Sequence, residues 1–398
     1  METNHLIARV KQLAETYFTE IQAIRHHLHA HPELSFEEHE TSAFVRQTLE
    51  KIGIHDCQSI AGTGLTFLIN GKKPGKTIAL RADMDALPIQ EANQVPYRSK
   101  NEGVMHACGH DVHTASLLGA VKILNQLRDS FDGQIKIIFQ PGEEKVPGGA
   151  SLMINEGILE NPTPQRILGQ HVMPFLPVGT VGFRPGKYMA SADEIYLTVK
   201  GKGGHAAMPE MLVDPIVIAS QIILALQQVV SRKASPKIPS VLSFGKIIGE
   251  GATNVIPSEV KIEGTFRTFD EKWREEALNH VTEIASGIAR SMGGECIVDI
   301  HRGYPFLANH EAYTLSNIKA AADYMGKENV VDLDLWMAAE DFAFYSHHTD
   351  ACFYRLGTRN ETRGIVSGVH TPTFDIDEEA LKTGMGLMAW LAIHELMA

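Results

Sequence analysis

Nine consecutive residues, Met105-His106-Ala107-Cys108-Gly109-His110-Asp111-Val112-His113, hold one thiol and three imidazoles. Cys108 and His110 are separated by a single glycine. In an extended segment side chains repeat every second residue, so both groups can face one point in space. Gly109 adds no side chain and lets the backbone pass close to whatever sits there. A thiol and an imidazole at that separation suit a zinc-type or soft-metal site. A buried structural cysteine beside surface histidines accounts for the same residues without a metal. Further on, Gln140-Pro141-Gly142-Glu143-Glu144 sets two carboxylates side by side. Adjacent side chains tend to point apart, so one can hold a cation while the other faces a substrate and moves protons. Taken alone, the pair also reads as a solvated acidic turn. With His171 and His370 the set becomes a thiol, two to three imidazoles and a carboxylate. That is enough for two divalent ions sharing one ligand, with positions open for water.

These groups need elements to hold them. Residues 116–127 are apolar at helical spacing, which predicts a helix behind the thiol. Residues 64–69, 77–81, 134–139 and 166–170 read as short apolar strands alternating with helices. Such a pattern indicates a buried, mostly parallel sheet flanked by helices, whose ligand sites lie beyond the carboxyl ends of the strands. Asp83 and Asp85 follow one strand, Glu143 and Glu144 a second, and His171 a third, so polar candidates collect at one end of the sheet. Near the N-terminus, His26, His27, His29 and His31 read as a helix end and a turn forced by Pro32 rather than as ligands. From about residue 190 the order becomes β-α-β-β-α-β, that of a ferredoxin-like module. The expected architecture is therefore α/β. A discontinuous larger domain over 1–189 and 303–398 carries an inserted ferredoxin-like α+β domain over 190–302.

The 398 residues exceed what one hydrophobic core usually supports. A net charge of −12, with no basic run that could track phosphates, argues against nucleic acid or an anionic membrane as partner. The four cysteines, Cys57, Cys108, Cys296 and Cys352, form no C-x-x-C pair and suit a reducing compartment, so a cytoplasmic location is expected. The most apolar run, 216–230, is broken by Ser220, Gln221, Gln227 and Gln228 and is expected to fall short of a membrane span.

The motifs resemble the dinuclear metal amidohydrolases that include hippurate hydrolase, N-acyl-amino-acid amidohydrolases, auxin-conjugate hydrolases and N-acetyldiaminopimelate deacetylase. The stretches that carry the likeness are Leu28-His29-Ala30-His31-Pro32-Glu33-Leu34, Arg81-Ala82-Asp83-Met84-Asp85-Ala86-Leu87-Pro88, His106-Ala107-Cys108-Gly109-His110-Asp111, Gln140-Pro141-Gly142-Glu143-Glu144, Gly201-Lys202-Gly203-Gly204-His205-Ala206-Ala207 and Ala338-Ala339-Glu340-Asp341-Phe342. The resemblance implies metal ligands at Cys108, His110, Glu144, His171 and His370, with the thiolate bridging two divalent ions per subunit. Zinc or manganese are the expected ions, with nickel and cobalt as further candidates. It implies Glu143 as general acid/base and an inserted domain that acts as a lid and dimerises, giving a homodimer or a tetramer. From that lid His205 reaches the neighbouring subunit's site, and Asn254 and Arg267 become the candidate readers of a substrate carboxylate. An arginine fork matches a carboxylate with two parallel hydrogen bonds. Arg81 stands where more distant relatives have a histidine ligand, so His110 takes that place and Asp83 supports the ligands from behind. The implied substrate is a small N-acyl amino acid whose amide bond is hydrolysed, with a dipeptidase or carboxypeptidase activity as the alternative. Two other classes stay open on the residues alone. Cys108 could act as a nucleophile with a histidine base, or the chain could hold metal without catalysis.

Overall fold

The strands expected at 77–81 and 134–139 lie side by side and parallel, as Thr77–Asp83 and Gln134–Gln140, in the computed structural model, which describes residues 2–397. The chain divides into two compact units. The first comprises the chain up to Gly186, then Ala308–Asp334 and the segment from Asp341 onward; the second is Lys187–Leu307 with Leu335–Glu340.

The first unit is built on an eight-stranded sheet in the order Gln58–Ile60, Gly64–Asn70, Gln134–Gln140, Thr77–Asp83, Arg166–Pro177, Asp350–Arg359, Val181–Phe183, Val330–Asp332. The four central strands, from Gln134–Gln140 to Asp350–Arg359, run parallel to one another. Thr77–Asp83 is buried along its whole length, as a central strand covered on both faces must be. Helices Glu2–Ala30, His110–Gln126 and Ala380–Met397 pack together. The last is buried on nearly every side, because it is apolar all round and has no face to offer to water.

Two expectations change here. Arg166–Pro177 does not end before His171 but continues past it, because Asp350–Arg359 keeps pairing alongside. On its other side, pairing with Thr77–Asp83 stops at Gly169, which frees that flank for the His171 side chain. The N-terminal histidines do sit at a helix end, yet His29 is fully buried rather than part of an open turn. Its Nδ1 lies 2.8 Å from Asp111 Oδ2, an oxygen that also takes Arg25 Nε at 2.7 Å.

The second unit has a four-stranded antiparallel sheet in the order Ser240–Ile248, Glu259–Thr268, Asp193–Lys200, Glu295–Arg302. Along Asp193–Lys200 burial alternates, with Ile195, Leu197 and Val199 inward, so one face is covered. The cover is a pair of helices, Pro215–Gln228 and Glu271–Ser291, capped by the Asp214 and Asp270 carboxylates. The segment Leu335–Glu340 joins this unit through backbone bonds from Trp336 N to Tyr188 O and from Ala190 N to Trp336 O. Contrary to the sequence expectation, Pro215–Lys233 reaches, with a mean hydropathy of 1.3, the length and composition of a membrane-crossing helix. Its Ile218, Ala219, Ile222 and Leu226 are buried in the unit's own core, while Val217 and Leu224 face outward.

Candidate metal centre

The 105–109 loop turns into helix His110–Gln126 at Gly109, whose φ of +80° is left-handed. A Cβ there would lie 2.7 Å from Val172 Cγ2, so only glycine lets the loop press against the His171 strand. Cys108 is thereby held with its Sγ 3.4 Å from His171 Nε2 and 3.3 Å from His370 Nε2. His370 arrives from far along the chain, and its N–H donates to Ala107 O at 2.7 Å. It does so at φ +60°, a strained conformation for a residue with a Cβ.

Two triads of donor atoms share the thiol: Cys108, His110 and His171, and Cys108, Glu144 and His370. Glu144 Oε1 lies 3.1 Å from His370 Nε2 and 4.0 Å from His110 Nε2, without hydrogen-bond alignment to either. Buried Nε2 of His110 and Oε1 of Glu144 have no hydrogen-bond partner among the described residues. Orphaned donor atoms converging on a thiol fit a cation better than any internal bonding scheme.

The charge balance points the same way. Burial, then Glu144, Glu143 and Asp83, push the Cys108 thiol well above its usual range, so the thiolate needs positive charge beside it. For His110, burial works against the charged form, but Asp83, Asp85 and Glu144 outweigh it and carry the imidazole up to about 10. His171 goes the other way: burial, then Arg355 and His113, keep it neutral with its lone pair on offer. A thiol, three imidazoles and a glutamate, set among further carboxylates, are a donor set for divalent ions.

Each donor is aimed by a partner behind it. Asp85 Oδ1 lies 3.1 Å from His110 Nδ1, which leaves Nε2 for the centre. Its Oδ2 accepts from Glu144 N at 3.0 Å and from Ser35 Oγ at 2.6 Å, so one carboxylate steers two donors. His171 Nδ1 bonds Val172 O at 2.8 Å. Asp83 Oδ1 takes His113 Nδ1 at 2.6 Å, and His113 Nε2 takes Val172 N at 2.9 Å, a bridge between two strands. Asp83 thus touches His110 only at 3.8 Å, behind the donors.

The acidic turn is equally fixed. Gly142 has φ +54°, and a Cβ on it would stand 2.3 Å from the Phe36 ring. Its N–H donates at 2.8 Å to the buried Glu38. Glu143 is 6% exposed, its Oε1 accepts from Asp341 N at 3.3 Å, and its carboxylate clusters with those of Glu144 and the His110 ring.

The other three candidates lie in the second unit. His205 is exposed on a two-residue strand paired with Val255–Ile256. Its Nδ1 accepts from Ala207 N at 3.1 Å, so the ring proton sits on Nε2, which faces outward as a donor. Ala206 N bonds Asn254 O at 3.1 Å and brings Asn254 beside it. Arg267 is held elsewhere, with Nη1 donating to Met337 O at 3.1 Å.

The model of peptidase family M20/M25/M40 matches residues 79–394. The chain belongs to this family. An M20/M25/M40 relative, the N-acetyl-L-cysteine deacetylase of Bacillus subtilis, is 42% identical over 358 residues, 90% of this chain and 84% of the relative. A thermostable carboxypeptidase of Saccharolobus solfataricus is 37% identical over 391 residues, 98% of each chain. Among solved structures, a dinuclear metal-binding peptidase of the M20 family from Bacillus subtilis is similar at a TM-score of 0.81 and 35% identity, covering 96% of this chain and 99% of that one. The family resemblance carried by the motifs is thereby borne out, as is the α/β class with its mostly parallel sheet. What the motifs did not assign are the M20 chain's supports: Asp85, His113, Glu38 and Asp341. Asp85 was readable as the second carboxylate after a strand, and His113 as the residue one turn beyond His110. Asp341 stood in the 338–342 stretch that carries the resemblance, which gave it no role, and no local pattern marks Glu38, whose partner Gly142 N lies about a hundred residues away.

Proposed function

We propose that the protein hydrolyses the amide bond of N-acyl amino acids at a dinuclear centre held by Cys108, His110, Glu144, His171 and His370. The observation that supports this most is the shared thiol, which belongs to two donor triads. Two divalent ions bound there would lower the pKa of water and polarise the scissile carbonyl. The chain's own part is proton traffic and orientation. Glu143, beside the centre and not needed in either triad, takes the proton from the attacking water and returns it to the leaving amine. His205, with its proton on Nε2, is suited to donate to the oxyanion as charge develops. Asn254 and Arg267 are suited to the substrate carboxylate, and Asp83 keeps the ligand shell in place through His113. The thiolate and imidazoles favour zinc, with manganese next and nickel or cobalt as further candidates.

We further propose that residues 190–302 serve as lid and dimerisation domain. The strand Ser240–Ile248 lies at the edge of its sheet, with Val241, Ile247 and Ile248 exposed. Such an edge invites pairing with a second copy. Four unpaired cysteines favour the cytoplasm. A second reading, exopeptidase action on the same centre, is favoured by the carboxypeptidase relative. The deciding experiment is a hydrolysis panel of N-acetyl, N-benzoyl and N-succinyl amino acids alongside dipeptides, with defined metals. N-acyl amino acids are expected to give the highest kcat/KM. Preference for dipeptides selects the second reading, and turnover of neither class overturns both.

A further inference from the structure

Loop 141–148 carries Glu143 and Glu144, and the elements at its two ends are held by one side chain. Asp341 is fully buried. Its Oδ1 accepts from Arg81 Nη2 at 2.7 Å and Gln140 Nε2 at 2.9 Å; its Oδ2 accepts from Gln140 Nε2 at 2.7 Å and Ala150 N at 2.9 Å. Gln140 is the last residue of the strand before the loop and Ala150 the second residue of the helix Gly149–Asn155 after it. The same residue's backbone N–H donates to Glu143 Oε1 at 3.3 Å. Both carboxylate oxygens are engaged by fixed donors, so Asp341 is bound into the scaffold rather than offered to a cation. Arg81 completes the arrangement. Its Nε donates to Gln140 Oε1 at 2.9 Å, which sets the Gln140 amide with its NH₂ toward Asp341.

We infer that Asp341, anchored by Arg81, is the positioning residue for Glu143: its carboxylate clasps the two feet of the loop while its backbone N–H fixes the carboxylate that moves the proton. This rests on the reading of Glu143 as the acid/base. It gives Arg81 a task that a histidine ligand at that position could not perform, since a guanidinium reaches Asp341 and Gln140 together. It also predicts a specific failure. With the clasp loosened, the ligands of the centre stay in place but Glu143 loses its aim, and displacements of about 1 Å cost on the order of a hundredfold in rate.

The test is a double-mutant cycle on the metal-loaded enzyme. Asp341→Asn replaces one acceptor oxygen with donors that oppose Ala150 N–H or the Arg81 guanidinium. Expected are a fall in kcat of about a hundredfold, KM within about threefold, bound metal near wild type, and no further fall when the change is made in a Glu143→Gln chain. Residues acting as one unit are non-additive in this way. An equal fall in both backgrounds, a loss carried by KM or metal content, or no fall at all would overturn the inference. If Asp341→Asn does not fold, Gln140→Met decides by the same cycle. It keeps the Arg81–Asp341 pair and is expected to lower kcat about tenfold in the wild-type background only. An active Glu143→Gln chain would overturn the acid/base reading itself. An inactive one with additive losses overturns only the clasp.

Discussion

Asp85→Asn should weaken metal binding by about one to two powers of ten while leaving the fold intact. The side chain is 1% exposed and meets three donors, at His110 Nδ1, Glu144 N and Ser35 Oγ. An asparagine keeps one acceptor and turns an NH₂ on whatever faced the other oxygen. If the amide faces His110, its Nδ1 must become the acceptor, and the ring proton moves to Nε2, the atom meant for the cation. If it faces Glu144 N and Ser35, the acidic turn loses its tether. Either way one hydrogen bond to a charged group goes, worth about 1.5–3 kcal/mol. At about 1.4 kcal/mol per decade that is roughly 10- to 150-fold in affinity, in line with the 10–100-fold typical of groups that support ligands. Competition against a chelator of known affinity, followed by bound-metal analysis, measures it directly. Affinity within about threefold of wild type would refute the claim that Asp85 aims both donors.

Glu143→Gln should retain its metal yet lose about 10²–10⁴-fold in turnover, the range of acid/base effects; more than a tenth of wild-type turnover would remove Glu143 from that role. Asp111 would be raised by burial, but Arg25 and then His29 hold its carboxyl below the usual range. Below about pH 5 the unfolded chain, whose aspartates titrate near ~3.9, therefore binds protons that the folded chain refuses, and stability falls with pH. In urea titrations from pH 6 to 3, Asp111→Asn should be less stable at pH 6 and show a flatter decline; an unchanged slope would show that Asp111 does not drive acid unfolding. Finally, if His205 serves the partner's centre, inactive His205→Ala and Glu143→Gln chains should recover on subunit exchange. Roughly half of the dimers would be mixed, each with one complete site, giving about a quarter of wild-type activity. No recovery despite proven exchange would confine His205 to its own chain.

Local chemistry was legible wherever neighbours in sequence are neighbours in space. Cys108-Gly109-His110 announced a donor pair, although the two groups meet through the left-handed turn at Gly109 and not along an extended segment. The strands expected at 77–81 and 134–139 were marked by Ile78-Ala79-Leu80 and Ile137-Ile138-Phe139. His370 was not legible from spacing. It lies 262 residues from Cys108 in the chain and reaches it through a left-handed turn and a backbone bond to Ala107. His29 looked like part of an open helix end, because its burial depends on Asp111 and Glu91, both more than sixty residues away. The continuation of the His171 strand to Pro177 was missed for a related reason. Its polar His171 reads as an end, whereas pairing with Asp350–Arg359 carries it on. The ferredoxin-like order was readable most clearly in its central strands, Asp193–Lys200 and Glu259–Thr268, where buried and open positions alternate.

The account's central claim is that hydrolysis depends on divalent ions held around Cys108. Its most direct test is to strip the enzyme with a chelator, verify the removal, and return one defined metal in steps while following hydrolysis of an N-acetyl amino acid. Activity should fall to background on removal and return fully only as a second equivalent binds per chain, with a Cys108→Ala chain failing to recover. Full turnover in the verified metal-free enzyme would contradict the account and leave the Cys108 thiol as the nucleophile.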